Sequence, residues 1–110
     1  MTSPRPFFFI GGESVEAVKA YELELELRQI RELRKAIELK MKELEYAEGI
    51  ITATKAERKL YRAFADLLVE VTKDEAIEHI ERMRLAYKRE IERLREKEKE
   101  IMEKLSRLSS

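Results

Sequence analysis

Cysteine is absent from the 110-residue sequence. Disulfides, thiolate catalysis and Cys-based zinc sites are thereby excluded, and an ordinary cytoplasmic protein is the default expectation. Asparagine is also missing and glutamine occurs once, at Gln29, while Glu, Lys and Arg dominate, a bias found in proteins from hot environments. Neither sign of charge is in excess: 23 Lys plus Arg balance 23 Asp plus Glu. No global field draws the chain to nucleic acid or to an anionic membrane, so partners must be chosen by local surface. Long hydrophobic runs are lacking, and Phe7-Phe8-Phe9-Ile10 is far shorter than the ~20 residues that span a bilayer or than a signal-peptide core. Gly11, Gly12 and Gly49 are the only glycines, none in a phosphate-cradling loop; nucleotide-driven action is not expected and no cofactor is implied.

What is present is charge and periodicity. Charged residues make up 42% of the chain, which leaves few positions for a large globular core and favours one elongated domain. Pro4 and Pro6 keep residues 1–12 non-helical as an apolar head. Residues 13–47 contain neither Gly nor Pro and read as a first helix; residues 48–72 form a connector; residues 73–108 read as a second helix, and 13–110 as a single domain.

On the first arm Leu23, Leu27, Ile30, Ile37, Met41 and Leu44 alternate in steps of four and three, with Arg34 the one interruption. This is a coiled-coil seam. Leu25, Leu33 and Leu39 lie off it and form a second, partial apolar face that a neighbouring subunit or the bend is expected to cover. The second arm opens on a capping box, Thr72-Lys73-Asp74-Glu75, and then keeps 3,4 spacing through Ile77, Ile80, Tyr87, Ile91, Leu94, Ile101, Leu105 and Leu108. Arg84 and Glu98 occupy seam positions without being apolar. Charged seam residues either loosen the coil around clients or fix its register, and register control is the expected role.

Within the connector, Leu60–Phe64 and Leu67–Val71 read as two strands. A two-residue turn at Ala65-Asp66 pairs Phe64 with Leu67, Arg62 with Val69 and Leu60 with Val71, which makes one face almost wholly apolar. Alanine resists positive φ, so a wider loop is the competing expectation for the tip. A lone two-stranded hairpin is marginal in water, and Leu60, Phe64, Leu67, Val69 and Val71 are therefore the candidate oligomer interface. The fold class expected is mainly α: an antiparallel two-helix coiled-coil hairpin with a short β-hairpin at the bend, oligomerising through that β-hairpin.

The stretch Leu60-Tyr61-Arg62-Ala63-Phe64, followed by Leu67-Leu68-Val69-Glu70-Val71-Thr72-Lys73-Asp74-Glu75-Ala76-Ile77, resembles the central segment of archaeal β-type prefoldin subunits. The similarity extends as periodicity from about Tyr21 to Leu105. A single hairpin is the β-type plan, whereas the α-type carries two. The resemblance implies a hexamer of α-type and β-type subunits joined through their hairpins. It also implies ATP-independent capture of unfolded polypeptides and their transfer to a group II chaperonin.

Antiparallel arms place Phe7, Phe8, Phe9 and Ile10 beside Ile101, Met102, Leu105 and Leu108, at the end farthest from the hairpin. These are the candidate contacts for unfolded chains, held through many weak apolar contacts. The head alternatively caps the seam near Val15 and Val18 or stays disordered. His79 with Glu75 supplies at most two ligands, so no metal site is expected. Carboxylates such as Glu38 and Glu92 lie among basic residues three or four positions away, as Glu38 with Lys42, which suits ion pairing and indicates no catalytic pair. The clusters Arg28, Arg31, Arg34, Lys35 and Arg89, Arg93, Arg95, Lys97 are interrupted by acids and lack interleaved aromatics, which argues against nucleic acid. The expectation is a non-enzymatic holdase subunit; the alternative is a structural coiled-coil tether that recognises no unfolded protein.

Overall fold

The computed structural model describes residues 12–55 and 57–109. The element order is α1 (Gly12–Ala53), β1 (Leu60–Phe64), β2 (Leu67–Val71) and α2 (Lys73–Ser109). The first helix runs six residues past Ala47, the expected end. Gly49 costs a helix roughly 1 kcal/mol, but the 3,4 spacing continues through Glu48 to Ile51, and both residues are half-buried. The last turn is closed by Thr54, whose Oγ1 donates to the Ile50 carbonyl at 2.7 Å and whose N–H donates to the Ile51 carbonyl at 3.1 Å. Lys73 completes the end: its Nζ donates to the carbonyls of Thr52 at 3.0 Å and Thr54 at 3.1 Å. A cation from the second helix thus satisfies carbonyls at the end of the first, whose own last turn has no basic residue.

The hairpin keeps the register read from the sequence, Leu60 with Val71, Arg62 with Val69 and Phe64 with Leu67. The wider loop is not formed: Ala65 takes φ 54° and the turn stays at two residues. Cross-strand pairing outweighs the ~1–2 kcal/mol that a Cβ costs in the left-handed region. Ala65→Gly is therefore expected to stabilise the protein by about 1 kcal/mol, seen as a higher urea midpoint with an unchanged slope.

The second helix starts on the box that the sequence specifies. The Glu75 N–H donates to Thr72 Oγ1 at 3.1 Å, and the Thr72 N–H donates to Glu75 Oε1 at 2.8 Å. The Thr72 backbone N–H, and then its hydroxyl, hold the Glu75 carboxyl below its ordinary value of 4.5. A depressed carboxyl contributes stability above its unfolded pKa and loses it as pH falls through the folded one. Thermal midpoints measured at falling pH are expected to drop below about pH 4.5, where protonation begins in the unfolded chain. Glu75→Gln should flatten that acid limb, and Thr72→Ala should cost about 1 kcal/mol at neutral pH.

Two units make up the chain: Met1–Leu33 with Arg93–Ser110, and Arg34–Glu92. In the first, α1 and α2 run antiparallel, since Lys19–Glu26 line one groove with Lys104–Leu108 while Arg31 meets Glu98. Leu27, Leu94 and Ile101 are buried, Leu94 most completely at 1% exposure. Glu98 is also buried, at 8%, and accepts from Arg31 Nε at 3.3 Å. In the second unit Ile37, Met41 and Leu44 are half-buried, as are Ile77, Tyr87 and Ile91, and Ile80 is buried. The seam cation Arg84 ion-pairs with Glu48 of α1 and with Glu81 at 2.7 Å on its own helix. Hydrogen bonds that it donates to Glu81 and then to Glu48 raise its pKa further, so it stays charged. Arg34 donates to Glu38, one turn on, at 3.1 Å.

Each expected seam residue is withdrawn from solvent, whereas Leu25, Leu33 and Leu39 remain exposed together with Tyr46 and Ile50. The bend does not cover this second face.

Candidate assembly and client surfaces

The hairpin of the second unit displays apolar side chains rather than hiding them. Every strand residue except Leu60 and Val71, at the base, is exposed. Phe64 is 63% exposed and Leu67 66%, and they sit opposite one another beside the turn. Val69 shares their face across from Arg62, whose guanidinium lies 6.0 Å from the Phe64 ring centroid, within cation–π range. The reverse face holds Tyr61, Ala63, Leu68 and Glu70, the mixed set of apolar and polar residues that strand alternation places there. Leu68 is 72% exposed and Tyr61 is largely exposed, so both faces offer apolar area. With two strands only, one edge of each is also unpaired, which makes it a template for strand addition.

Where the hairpin base meets the helices, a groove of about 520 Å³ opens. Leu44, Ala47, Ile51, Leu60, Val71 and Ile80 supply its apolar lining, and Arg62, Glu75, Glu78, His79 and Arg82 its polar rim. His79 is half-buried, and its pKa is lowered by burial first and then by the positive charges of Arg62 and Arg82.

The candidate client residues are spread over different environments of the first unit. Phe7, Phe8, Phe9 and Ile10 lie outside the described residues. Ile101 is buried on the seam at 4% exposure, as its 3,4 spacing demands, so packing against α1 occupies its side chain. Met102, the next residue, is half exposed and accepts from Arg31 Nη2 at 3.6 Å. Leu105 and Leu108 are half-buried. With Met102 they line an open groove of about 710 Å³ that also includes Ala17, Ala20 and Leu27; Leu108 and Leu23 line a second of about 390 Å³. These are shallow apolar troughs along a helix pair, suited to extended chain and without the enclosure that a small molecule requires.

Among the described residues no three His, Cys, Asp or Glu side chains converge as a metal site, and no helix is long and apolar enough to cross a membrane. Several basic residues are ion-paired, Arg31 with Glu98, Arg34 with Glu38 and Arg82 with Glu78.

The sequence pattern of a family described as "Prefoldin subunit" matches residues 15–110. Two solved structures from Thermococcus strain KS-1 are similar to this chain. The prefoldin beta2 subunit is 76% identical with a TM-score of 0.75, covering 84% of this chain and 98% of its own. The prefoldin beta subunit is 20% identical with a TM-score of 0.80, covering 86% of this chain and 83% of its own; at that identity it supports the fold alone. No curated protein sequence matches.

Proposed function

The chain belongs to the prefoldin subunit family, as a β-type member, and from that premise we propose that it is a holdase subunit: it captures unfolded polypeptides without ATP, at the open ends of its helix pair, and passes them to a group II chaperonin. Prefoldins are non-enzymatic chaperones whose subunits assemble with other prefoldin subunits. The observation that carries client capture is the pair of apolar troughs lined by Leu23, Leu27, Met102, Leu105 and Leu108. Such surfaces bind non-native chains through contact area rather than direction, so clients need share no sequence. Several copies in one particle add avidity that a single weak trough lacks. Assembly is assigned to Leu60, Phe64, Leu67, Val69 and Val71, with α-type and further β-type subunits as partners and a hexamer as the product. The cytoplasm is the proposed compartment, where no disulfide is needed.

The test is light scattering while a denatured client is diluted into buffer containing the assembled protein. Stoichiometric amounts are expected to suppress aggregation with or without ATP, and Met102→Ser with Leu108→Ser should weaken suppression several-fold while the particle mass stays constant. Scattering that is indifferent to the wild-type protein would instead support a structural tether.

A further inference from the structure

The two helices of the first unit do not end together. Glu98 meets Arg31, and α2 runs only eleven residues past Glu98, to Ser109, which comes level with Ala20, eleven residues before Arg31 on α1. Residues 12–19, about 12 Å of helix, therefore extend beyond the end of α2. The groove of about 710 Å³ runs out along this overhang, where Ala17, Ala20 and Glu24 form one stripe of its α1 wall and Leu108 and Ser109 stand at the end of α2. The alanines are too small to fill it. Glu16 and Glu24 on its rim have no cationic partner among the described residues, and the cation of this groove, Arg31, is held by Glu98.

The chain that precedes α1 matches this wall in length, pattern and charge. An extended segment turning back at Gly11, which bears no Cβ to oppose a reversal, brings Phe9 about 7 Å, Phe7 about 13 Å and Arg5 about 20 Å along the helix. At about 1.5 Å of rise per residue, those heights fall near Ala17, Ala20 and Glu24. Side chains alternate along an extended chain, so Arg5, Phe7 and Phe9 share one face and Phe8 and Ile10 the other. Two rings thus meet two alanines, and a guanidinium meets a carboxylate. Pro6 favours this conformation, since it fixes its own φ and biases Arg5 away from helix. The smaller groove suits Arg5 less, because its rim carries Lys19, Lys104 and Arg107 against Glu22 and Glu26.

We propose that Arg5, Phe7 and Phe9 seat the head of the chain on its own α1 overhang, where it occupies the outer end of the larger groove and competes with unfolded polypeptides for it. Phe7 then lies over Ala20 and beside Leu108, and a client gains that end only by displacing it. The inference rests on the proposed capture of unfolded chains in this groove. A head docked two-thirds of the time leaves a third of the grooves competent, which weakens apparent client affinity about threefold.

The sequence has no cysteine, so engineered pairs in the full-length protein report contacts alone. Arg5→Cys with Glu24→Cys is expected to oxidise to an intrachain disulfide, at monomer mass, at least tenfold faster than Arg5→Cys with Glu26→Cys, which lies at a similar height on the smaller groove. Locked by the first disulfide, the protein should bind a reduced and carboxymethylated, permanently unfolded protein at least threefold more weakly, and reductant should restore the affinity. Phe7→Ser with Phe9→Ser should instead bind that probe about threefold more tightly than wild type. Equal oxidation rates for the two pairs, or an affinity unchanged within twofold on locking, overturn the proposal. Weaker binding by the serine variant does so too, since the rings would then be client contacts themselves. If the rates differ as expected but the wild-type protein binds no probe, client capture fails while the docked head stands.

Discussion

Replacing Phe64 and Leu67 together with serine is expected to leave both helices folded and to dissociate the assembled particle. The two side chains are about two-thirds exposed in the single chain, so their loss removes little intramolecular packing. Buried in an interface, each contributes about 2 kcal/mol of apolar burial. Losing both therefore raises the dissociation constant by roughly a thousandfold per contact. Circular dichroism should report unchanged helicity while sedimentation reports monomer. An intact particle would mean that the hairpins are not where subunits join. Leu68→Ser is the informative companion. It is the most exposed large apolar residue of the hairpin and lies on the reverse face, so weakened assembly there would show that both faces are covered.

Leu94→Ala should be the most damaging single substitution in the chain. Leu94 is the only fully buried large side chain among the described residues, and truncation leaves a void between helices that have no other layer to collapse from. Large-to-small changes at such sites cost about 2–5 kcal/mol. For a chain of this size that lowers the thermal midpoint by roughly 10–20 °C. The neighbouring seam position is expected to behave differently. Glu98 is a buried carboxylate held by Arg31, and desolvation offsets much of what that pair contributes. Replacing the whole pair, Arg31→Met with Glu98→Leu, is expected to be neutral or to raise stability by about 1–4 kcal/mol, whereas Glu98→Ala, which opens a cavity and leaves Arg31 without this carboxylate, should destabilise. If register control is the role of the pair, the double variant will be at least as stable yet populate shifted helix alignments, visible as broadened or doubled amide resonances near position 31. A single sharp set would remove that role.

Much of this architecture was legible from spacing alone. The 3,4 steps from Leu23 to Leu44 and from Ile77 to Leu108 mark the residues that the fold withdraws from solvent, because a helix turns fixed angles and one stripe must face its partner. Thr72 and Glu75 marked the start of α2, since a capping box is closed by residues three apart. The register of Leu60–Val71 followed from the length of its turn. Where the sequence alone misled, the deciding contact was remote or global. Gly49 suggested an end that Lys73, more than twenty residues on, displaces by holding the carbonyls of Thr52 and Thr54. Ala65 suggested a looser tip, but ten strand residues aligned by pairing impose their geometry on one that resists it. The cross-helix partners of Glu98 and Arg84, and the exposure of Tyr61 and Leu68 on a face that looked mixed, appear only once both helices and both strands are placed. Local periodicity and capping act through neighbours in the chain and are written there; which carbonyl a distant lysine reaches, and which apolar face is left uncovered, depend on distances that only the folded chain sets.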